Sequence, residues 1–223
     1  YSLMETITQL DGGLVTFYYH NVTPPQLWNW EEDREVLRRG VEGVKLAAYA
    51  DLVLSPSDYN LTELAKHVKL APERLVRLPL PVDVRAFCPG AAAEDLRYTY
   101  GLGDRPVLLY VGRMAPNKRI DLLVELLAAV RQHATHPQPE ARLLLVGDAD
   151  SSPAYRLEIK RARERARALG VDDSVIIAGR ADRLFDHYRL ASVYVTTSQH
   201  EGFCVPLIEA MASGVPIVAA AST

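Results

Sequence analysis

Only two cysteines, Cys88 and Cys204, occur in the 223 residues, and they stand far apart. Two thiols in a chain of this size make no disulfide framework, which favours a reducing, cytoplasmic setting. No apolar run approaches the roughly 20 residues needed to cross a bilayer. The opening YSLMETITQLDGG has neither the basic start nor the apolar core of a signal peptide. A formal net charge of -3 gives no basic field, so nucleic acid is not implied as a partner. No Asp-x-Asp pair or cluster of His and carboxylates is placed to hold a divalent ion, so no metal is expected. What remains is 48% hydrophobic and 24% charged, an ordinary globular composition able to build one large core or two modest ones. The chain does not begin with Met, and its last residues VPIVAAAST read as a strand and its exit, so a fragment of a longer protein at both ends is expected.

Along the chain the pattern is β, α, β, α, β and then a clearer repeat of the same rhythm. LVTFYYHN reads as a strand after the Gly12-Gly13 turn, and Pro24-Pro25 ends it. A long charge-laced helix follows over 27–50, then the strand DLVLSPS, the helix YNLTELAKHV capped by Ser57 or Asp58, and the extended piece LVRLPLP. From Pro81 to Pro106 the text is rich in Pro, Gly, Ala and acids without core periodicity, which reads as an interdomain hinge. Beyond it PVLLYVG, ARLLLVG, SVIIAG, VYVTTS and PIVAAA are near-continuous apolar runs, as strands covered on both faces should be. Between the first two, Ile120, Leu123, Val124, Leu127 and Val130 recur at helical spacing and are expected to face the sheet. Strands alternating with helices imply an α/β chain with doubly wound parallel sheets, whose ligands lie beyond the strands' carboxyl ends. The helix over 155–169 carries six basic residues interrupted by Glu158 and Glu164 and reads as a solvated face, though peripheral membrane contact stays open. His67, His133, His136 and His187 read as surface residues, and His200 as a neighbour of the cleft.

Two loops carry more chemistry than their folds need. In VGRMAPNKRID, Arg113 follows the strand's last glycine, Gly112, and Lys118 stands where the next helix begins. Two cations beside a helix N-terminus make an anion site that suits a pyrophosphate, and a charge at a strand tip is costly without a partner. Arg119 reads instead as a solvated basic residue. In HEGFCVPLIEAMASG, Gly202 turns the chain and Pro206 suits a first helical turn, which leaves the N–H groups of Phe203, Cys204 and Val205 to face a ligand. Glu201 precedes that turn and Glu209 sits one turn into the helix. Carboxylates accept hydrogen bonds from sugar hydroxyls and repel phosphate, so two of them beside an anion cradle outline a nucleotide sugar. The alternative for Glu209 alone is a first-turn glutamate stabilising the helix dipole.

The run EGFCVPLIE resembles the E-x7-E motif of the retaining glycosyltransferases of family GT4, and YVGRMAPNKRIDLLVELL resembles that family's donor-phosphate loop. The likeness spans about residues 75 to 223 strongly and the earlier part more weakly. It implies the two-domain GT-B fold: residues 1–88 as a partial acceptor-side Rossmann-like domain, 89–105 as hinge, and 106–223 as the nucleotide-sugar-binding domain. By resemblance, Arg113 and Lys118 bind the donor diphosphate, Glu201 the transferred sugar and Glu209 the ribose. Arg180 and Ala181 bracket the base through backbone, and His20, at the end of TFYYHN, contacts the donor sugar near the reacting carbon. Gly112, Gly202, Phe203, Cys204 and Val205 complete the donor contacts. The implied reaction moves a sugar to an acceptor glycan, lipid or small molecule with retention, needs no cofactor besides the nucleoside-diphosphate sugar, and takes place in the cytoplasm or at the inner face of the membrane. The family's Gly-rich loop after its first strand has no counterpart here, since Gly12-Gly13 precedes the strand that ends at His20. An epimerase on the same scaffold or a non-catalytic nucleotide-sugar-binding fragment are the alternatives. A dinucleotide oxidoreductase lacks its Gly-x-Gly-x-x-Gly fingerprint.

Overall fold

The apolar runs do become parallel strands, in two separate sheets. In the computed structural model, which describes residues 2–10, 12–133 and 140–222, the chain divides into two bodies. One runs to Pro81 and also takes in His200–Cys204; the other comprises Val82–Gln199 and Val205–Ser222. His136 lies outside the described residues.

The first body holds a parallel sheet in the order β1 (Thr16–Tyr18), β2 (Leu52–Ser55), β3 (Leu75–Arg77). Its core is Tyr19, Val44, Ala47, Ala50, Val53 and Leu64. The long helix expected over 27–50 is shorter: α1 covers Glu31–Gly43 and tightens into a 3-10 helix over Val44–Tyr49. Gly40 and Gly43 are poor helix formers and stand where the α-geometry gives way. Arg74 donates to the carbonyls of Ala48 and Ala50 at the end of that 3-10 helix, satisfying groups that a helix terminus leaves open. The helix α2 (Asp58–Ala65) is capped by Ser57, whose hydroxyl accepts from the Asn60 N–H at 3.2 Å.

The second body is built on five parallel strands: β4 (Val107–Val111), β5 (Arg142–Val146), β6 (Val175–Gly179), β7 (Val193–Thr196) and β8 (Ile217–Ala219). Their order across the sheet is β6-β5-β4-β7-β8. The chain therefore builds outward from β4 in one direction and then resumes on the other side of it, so the topological switch falls between β4 and β7. Every residue of β4 is buried, whereas the edge strand β6 is only partly covered. Helix α4 (Ile120–His133) buries Ile120, Leu123, Val124, Leu127 and Ala128. Val130 does not join them and is 39% exposed, because the buried stripe leaves the sheet one turn before the helix ends.

Three surface expectations change in this body. The stretch expected as a hinge is folded: it contains α3 (Glu94–Thr99), Leu102 is fully buried, and Phe87, Ala92, Leu96 and Tyr100 pack against the same core. Its apolar residues are spaced irregularly, so no period announced them. His187, on α6 (Leu184–Leu190), is buried; its Nε2 meets the Tyr100 hydroxyl at 3.0 Å and its Nδ1 the Arg183 carbonyl at 3.0 Å. Burial holds its pKa below that of an ordinary histidine. Glu158, on α5 (Pro153–Ala168), is buried too, with its carboxylate on Arg161 at 2.7 Å, so it does not belong to the solvated face.

The tips of β4 and β5 meet backbone to backbone. Gly147 has φ +136°, and a Cβ there would stand 2.0 Å from the Gly112 carbonyl oxygen. Gly147→Ala is expected to cost roughly 2–4 kcal/mol in urea unfolding. Gly170→Ala, also at positive φ but with nothing within 4 Å, should cost about 1 kcal/mol.

Candidate functional site

The loops after β4 and β7 flank the switch point, and hydrogen bonds join them. The Thr197 hydroxyl donates to the carbonyls of Lys118 at 3.1 Å and Arg119 at 2.9 Å, and the Gln199 N–H donates to the Asn117 carbonyl at 2.8 Å. Within the first loop, Tyr110 Oη donates to the Arg113 carbonyl at 3.0 Å, and Arg113 Nη1 donates to Tyr155 Oη at 2.9 Å. Arg113 is exposed at the strand tip, and Lys118 ends a 3-10 turn over Pro116–Lys118. Arg119 is at φ +51° and turns to Asp121 at 2.8 Å, a salt bridge that accounts for its charge locally.

Helix α7 (Val205–Ala212) places Pro206 in its first turn and Glu209 at its middle. Tyr188, fully buried, aims its hydroxyl at Glu209 Oε2 at 2.7 Å, with the Pro206 carbonyl 3.1 Å away. Burial raises the Glu209 pKa above an ordinary glutamate's, and the Tyr188 bond pulls part of the way back. Glu209 is thus a half-buried carboxylate held in one orientation, which a purely solvated dipole partner would not need.

In the same body Arg180 extends from the end of β6 to Asp148 at 2.8 Å, while Ala181 packs on the core. Asp148 also accepts from Ser151, and these bonds hold its carboxyl well below the usual range. Asp148 and Asp150 form an Asp-x-Asp spacing, contrary to the expectation that no such pair is present, but the Asp148 carboxylate is engaged by Arg180 and Ser151. Among the described residues no group of three His, Cys, Asp or Glu side chains is arranged to hold a metal ion.

The first body brings His20, Glu201, Gly202, Phe203 and Cys204 together. His20 is exposed and stacks on Tyr18 with ring centroids 4.4 Å apart. Gly202 packs so closely beneath it that a Cβ would stand 2.3 Å from the His20 carbonyl oxygen. Cys204 is at φ +59°, a left-handed conformation that costs a side-chain-bearing residue about 1 kcal/mol or more. His200 is buried and Glu201 partly so. Asn21 and Asn60, which no sequence motif singled out, support this loop: Asn60 Nδ2 donates to the Gly202 carbonyl at 2.7 Å, and Asn21 Nδ2 to Asn60 Oδ1 at 2.9 Å. The one available signal was Asn directly after a strand-end His, since asparagine is among the few residues at ease at the φ of +73° found for Asn21.

Residues 105–223 match the family described as Glycosyl transferases group 1. The chain belongs to the group 1 glycosyl transferases. Among relatives of this glycosyl transferase chain, a D-inositol 3-phosphate glycosyltransferase of Geodermatophilus obscurus is 36% identical over 85% of the chain and 42% of its own length. A GDP-mannose-dependent alpha-mannosyltransferase of Mycolicibacterium smegmatis is 32% identical over 78% of the chain and 40% of its own length. The sucrose-phosphate synthase of Thermosynechococcus elongatus superposes with a TM-score of 0.74 at 27% identity, over 97% of the chain and 52% of its own. The glycosyl transferase chain thus spans about two fifths of the length of these curated relatives.

Replacing Tyr188 with Phe in this glycosyl transferase chain removes a side-chain bond that favours ionised Glu209. A carboxyl whose folded pKa is raised stabilises the fold below its unfolded pKa and loses that contribution as pH rises. The cost of Tyr188→Phe should therefore be about 1 kcal/mol larger at pH 7 than at pH 4 in thermal or urea unfolding.

Proposed function

We propose that the chain is the donor-binding part, with some of the acceptor side, of an enzyme that moves a sugar from a nucleoside-diphosphate sugar to an acceptor hydroxyl with retention of anomeric configuration. The observation that carries this reading is the position of the switch point. It falls between β4 and β7, whose following loops hold Arg113, Lys118 and the segment leading to Glu201 and Glu209. Family membership supports the transfer chemistry, and similarity to a GDP-mannose-dependent mannosyltransferase supports a nucleotide sugar as donor.

In the proposed reaction the bond from the anomeric carbon to the diphosphate oxygen breaks, its electron pair stays on the diphosphate, and the acceptor oxygen bonds to the carbon. Charge grows on the leaving group, and the role assigned to Arg113 and Lys118 is to stabilise it as it develops, where fixed cations contribute most to rate. Arg113, anchored on Tyr155, is already oriented, so less reorganisation is needed when charge appears. Glu209 accepts hydrogen bonds from the ribose hydroxyls, and its bond from Tyr188 keeps the acceptor oxygens aimed. Glu201 receives hydroxyls of the transferred sugar, and His20 stands beside the reacting carbon. The acceptor's proton passes to the departing diphosphate, so no separate base is needed. Arg180 and Ala181 are assigned to the base, with the Arg180 guanidinium held away by Asp148 so that backbone groups make the contact. The acceptor-side part is taken to end with the first body at Pro81 rather than at residue 88, and the folded stretch 89–105 to belong with the donor side.

Calorimetric titration with UDP, GDP, ADP and NAD, repeated on Glu209→Ala, tests the reading. One nucleoside diphosphate is expected to bind and to lose at least tenfold in affinity in the variant, the size of a hydrogen bond to a charged acceptor. Binding of NAD alone, or diphosphate binding indifferent to Glu209, would overturn it.

A further inference from the structure

Three successive carbonyls of the loop after β4 accept from one short segment at the end of β7. The Gln199 N–H reaches the Asn117 carbonyl at 2.8 Å, and the Thr197 hydroxyl stands 3.1 Å from the Lys118 carbonyl and 2.9 Å from that of Arg119. A hydroxyl carries a single proton, so Thr197 shares it between two oxygens. Its neighbours are turned the other way: the hydroxyls of Thr196 and Ser198 meet each other at 3.0 Å, as residues on either side of an extended position can. Thr197, between them, faces the β4 loop. The two carbonyls converge on it because of the backbone that joins them. Arg119 has φ +51° and ψ +57°, the left-handed helical region, and a helical residue leaves the carbonyls before and after it on the same side. That conformation is strained for a residue with a Cβ and persists only where its surroundings hold it. Arg119 is held from other directions too: its N–H donates to the Pro116 carbonyl at 3.2 Å, and its guanidinium is engaged by Asp121 at 2.8 Å. Lys118 lies between the buried run 114–117 and the buried Ile120, and its carbonyl is one of the two that Thr197 holds.

We infer that Thr197 is a positioning residue that fixes the backbone from which Lys118 reaches the donor diphosphate, an inference that rests on the donor reading above. The link is covalent and short. Peptides are planar, so the two peptide planes that meet at a Cα set the direction in which its side chain leaves. On one side of Lys118 the N–H is tied to the Ala115 carbonyl at 2.9 Å, within the 3-10 turn; on the other the C=O is tied to Thr197. With both peptides held, the lysine stem starts from a fixed point, and only its own rotamers remain to be settled when an anion arrives. Without the hydroxyl the second peptide is less constrained, and the left-handed joint at Arg119 can relax toward commoner backbone regions. The ammonium would then be drawn to the anion from a wider spread of positions, and affinity would fall. Cations set in place before charge appears are the ones that stabilise it most. Threonine suits the task, because its branched Cβ restricts χ1 and keeps the hydroxyl aimed. Thr197 touches no ligand in this account. It acts through Lys118.

The test is a double-mutant cycle on the whole chain, read by calorimetry with UDP, GDP and ADP. Thr197→Val exchanges the hydroxyl for a methyl group of the same shape, and the backbone bond from Gln199 to Asn117 still joins the two loops. Thr197→Ala takes its place in the cycle if the valine variant does not fold, which thermal unfolding of each protein checks. Affinity for the nucleoside diphosphate that binds the wild type is expected to fall roughly tenfold in Thr197→Val and to return to within about threefold of wild type in Thr197→Ser. In a Lys118→Ala background Thr197→Val should alter affinity less than about twofold, whereas beside Arg113→Ala it should keep its full effect, as a residue acting through Lys118 requires. An equal loss with and without Lys118 marks a general structural role and overturns the inference, as does a Thr197→Ser variant no better than Thr197→Val. If no diphosphate binds the wild type, or if binding ignores Lys118→Ala, the donor reading fails and the inference with it. If binding depends on Lys118 while Thr197→Val changes nothing, the donor reading stands and only the positioning role falls.

Discussion

Backbone packed against backbone, at positions where only glycine fits, is the constraint on which the rest of this structure depends. At the carboxyl edge of the second sheet a Cβ on Gly147 would fall 2.0 Å from the Gly112 carbonyl, so the tips of the two central strands close together before their loops diverge. In the first body a Cβ on Gly202 would fall 2.3 Å from the His20 carbonyl, which presses the motif loop onto the strand end that carries the histidine. Such contacts bring peptide dipoles and short side chains to a ligand with little intervening bulk. They also make the neighbouring geometry unforgiving, which is why the residues around them are oriented by hydrogen bonds.

Charge is distributed to match. Arg113 is exposed but tethered to Tyr155, whereas Arg119 is neutralised by Asp121, Arg180 by Asp148 and Arg183 by Asp95. Local carboxylates answer the arginines around the sheet's carboxyl edge, and the strand-tip cation is held by a neutral hydroxyl instead, which leaves its charge undiminished. Glu209 is treated in a parallel way: a neutral phenol orients it, and burial makes its charged form less stable than in water. Glu209 gains more from a hydroxylated ligand than a fully solvated carboxylate would, because, half-buried, it gives up less hydration on meeting it.

The second sheet was legible in the sequence because buried parallel strands are written as continuous apolar runs, and β4, β5 and β7 read that way. The family was legible from two loops. What could not be read was anything held by scattered contacts. Leu102 and Phe87 join the core from a Pro- and Gly-rich stretch with no period, and His187 is buried because Tyr100 arrives from that same stretch. Val130 kept the helical spacing but overshot the sheet, and Glu158 looked like a surface interruption because a one-dimensional pattern does not show which face an i,i+3 arginine covers. Asn60 is the sharpest case: in the first turn of a helix it is indistinguishable from an ordinary capping-region residue, and its partner Gly202 lies far along the chain.

The central claim is that the cations at the tip of β4 hold a donor diphosphate. Titration of UDP, GDP and ADP followed by 31P NMR, on the wild type and on Arg113→Ala and Lys118→Ala, tests it most directly. The account predicts that the β-phosphorus signal of the bound nucleotide moves in the wild type and that each variant weakens this response about tenfold or more. A β-phosphorus response that is the same in the wild type and both variants would contradict it.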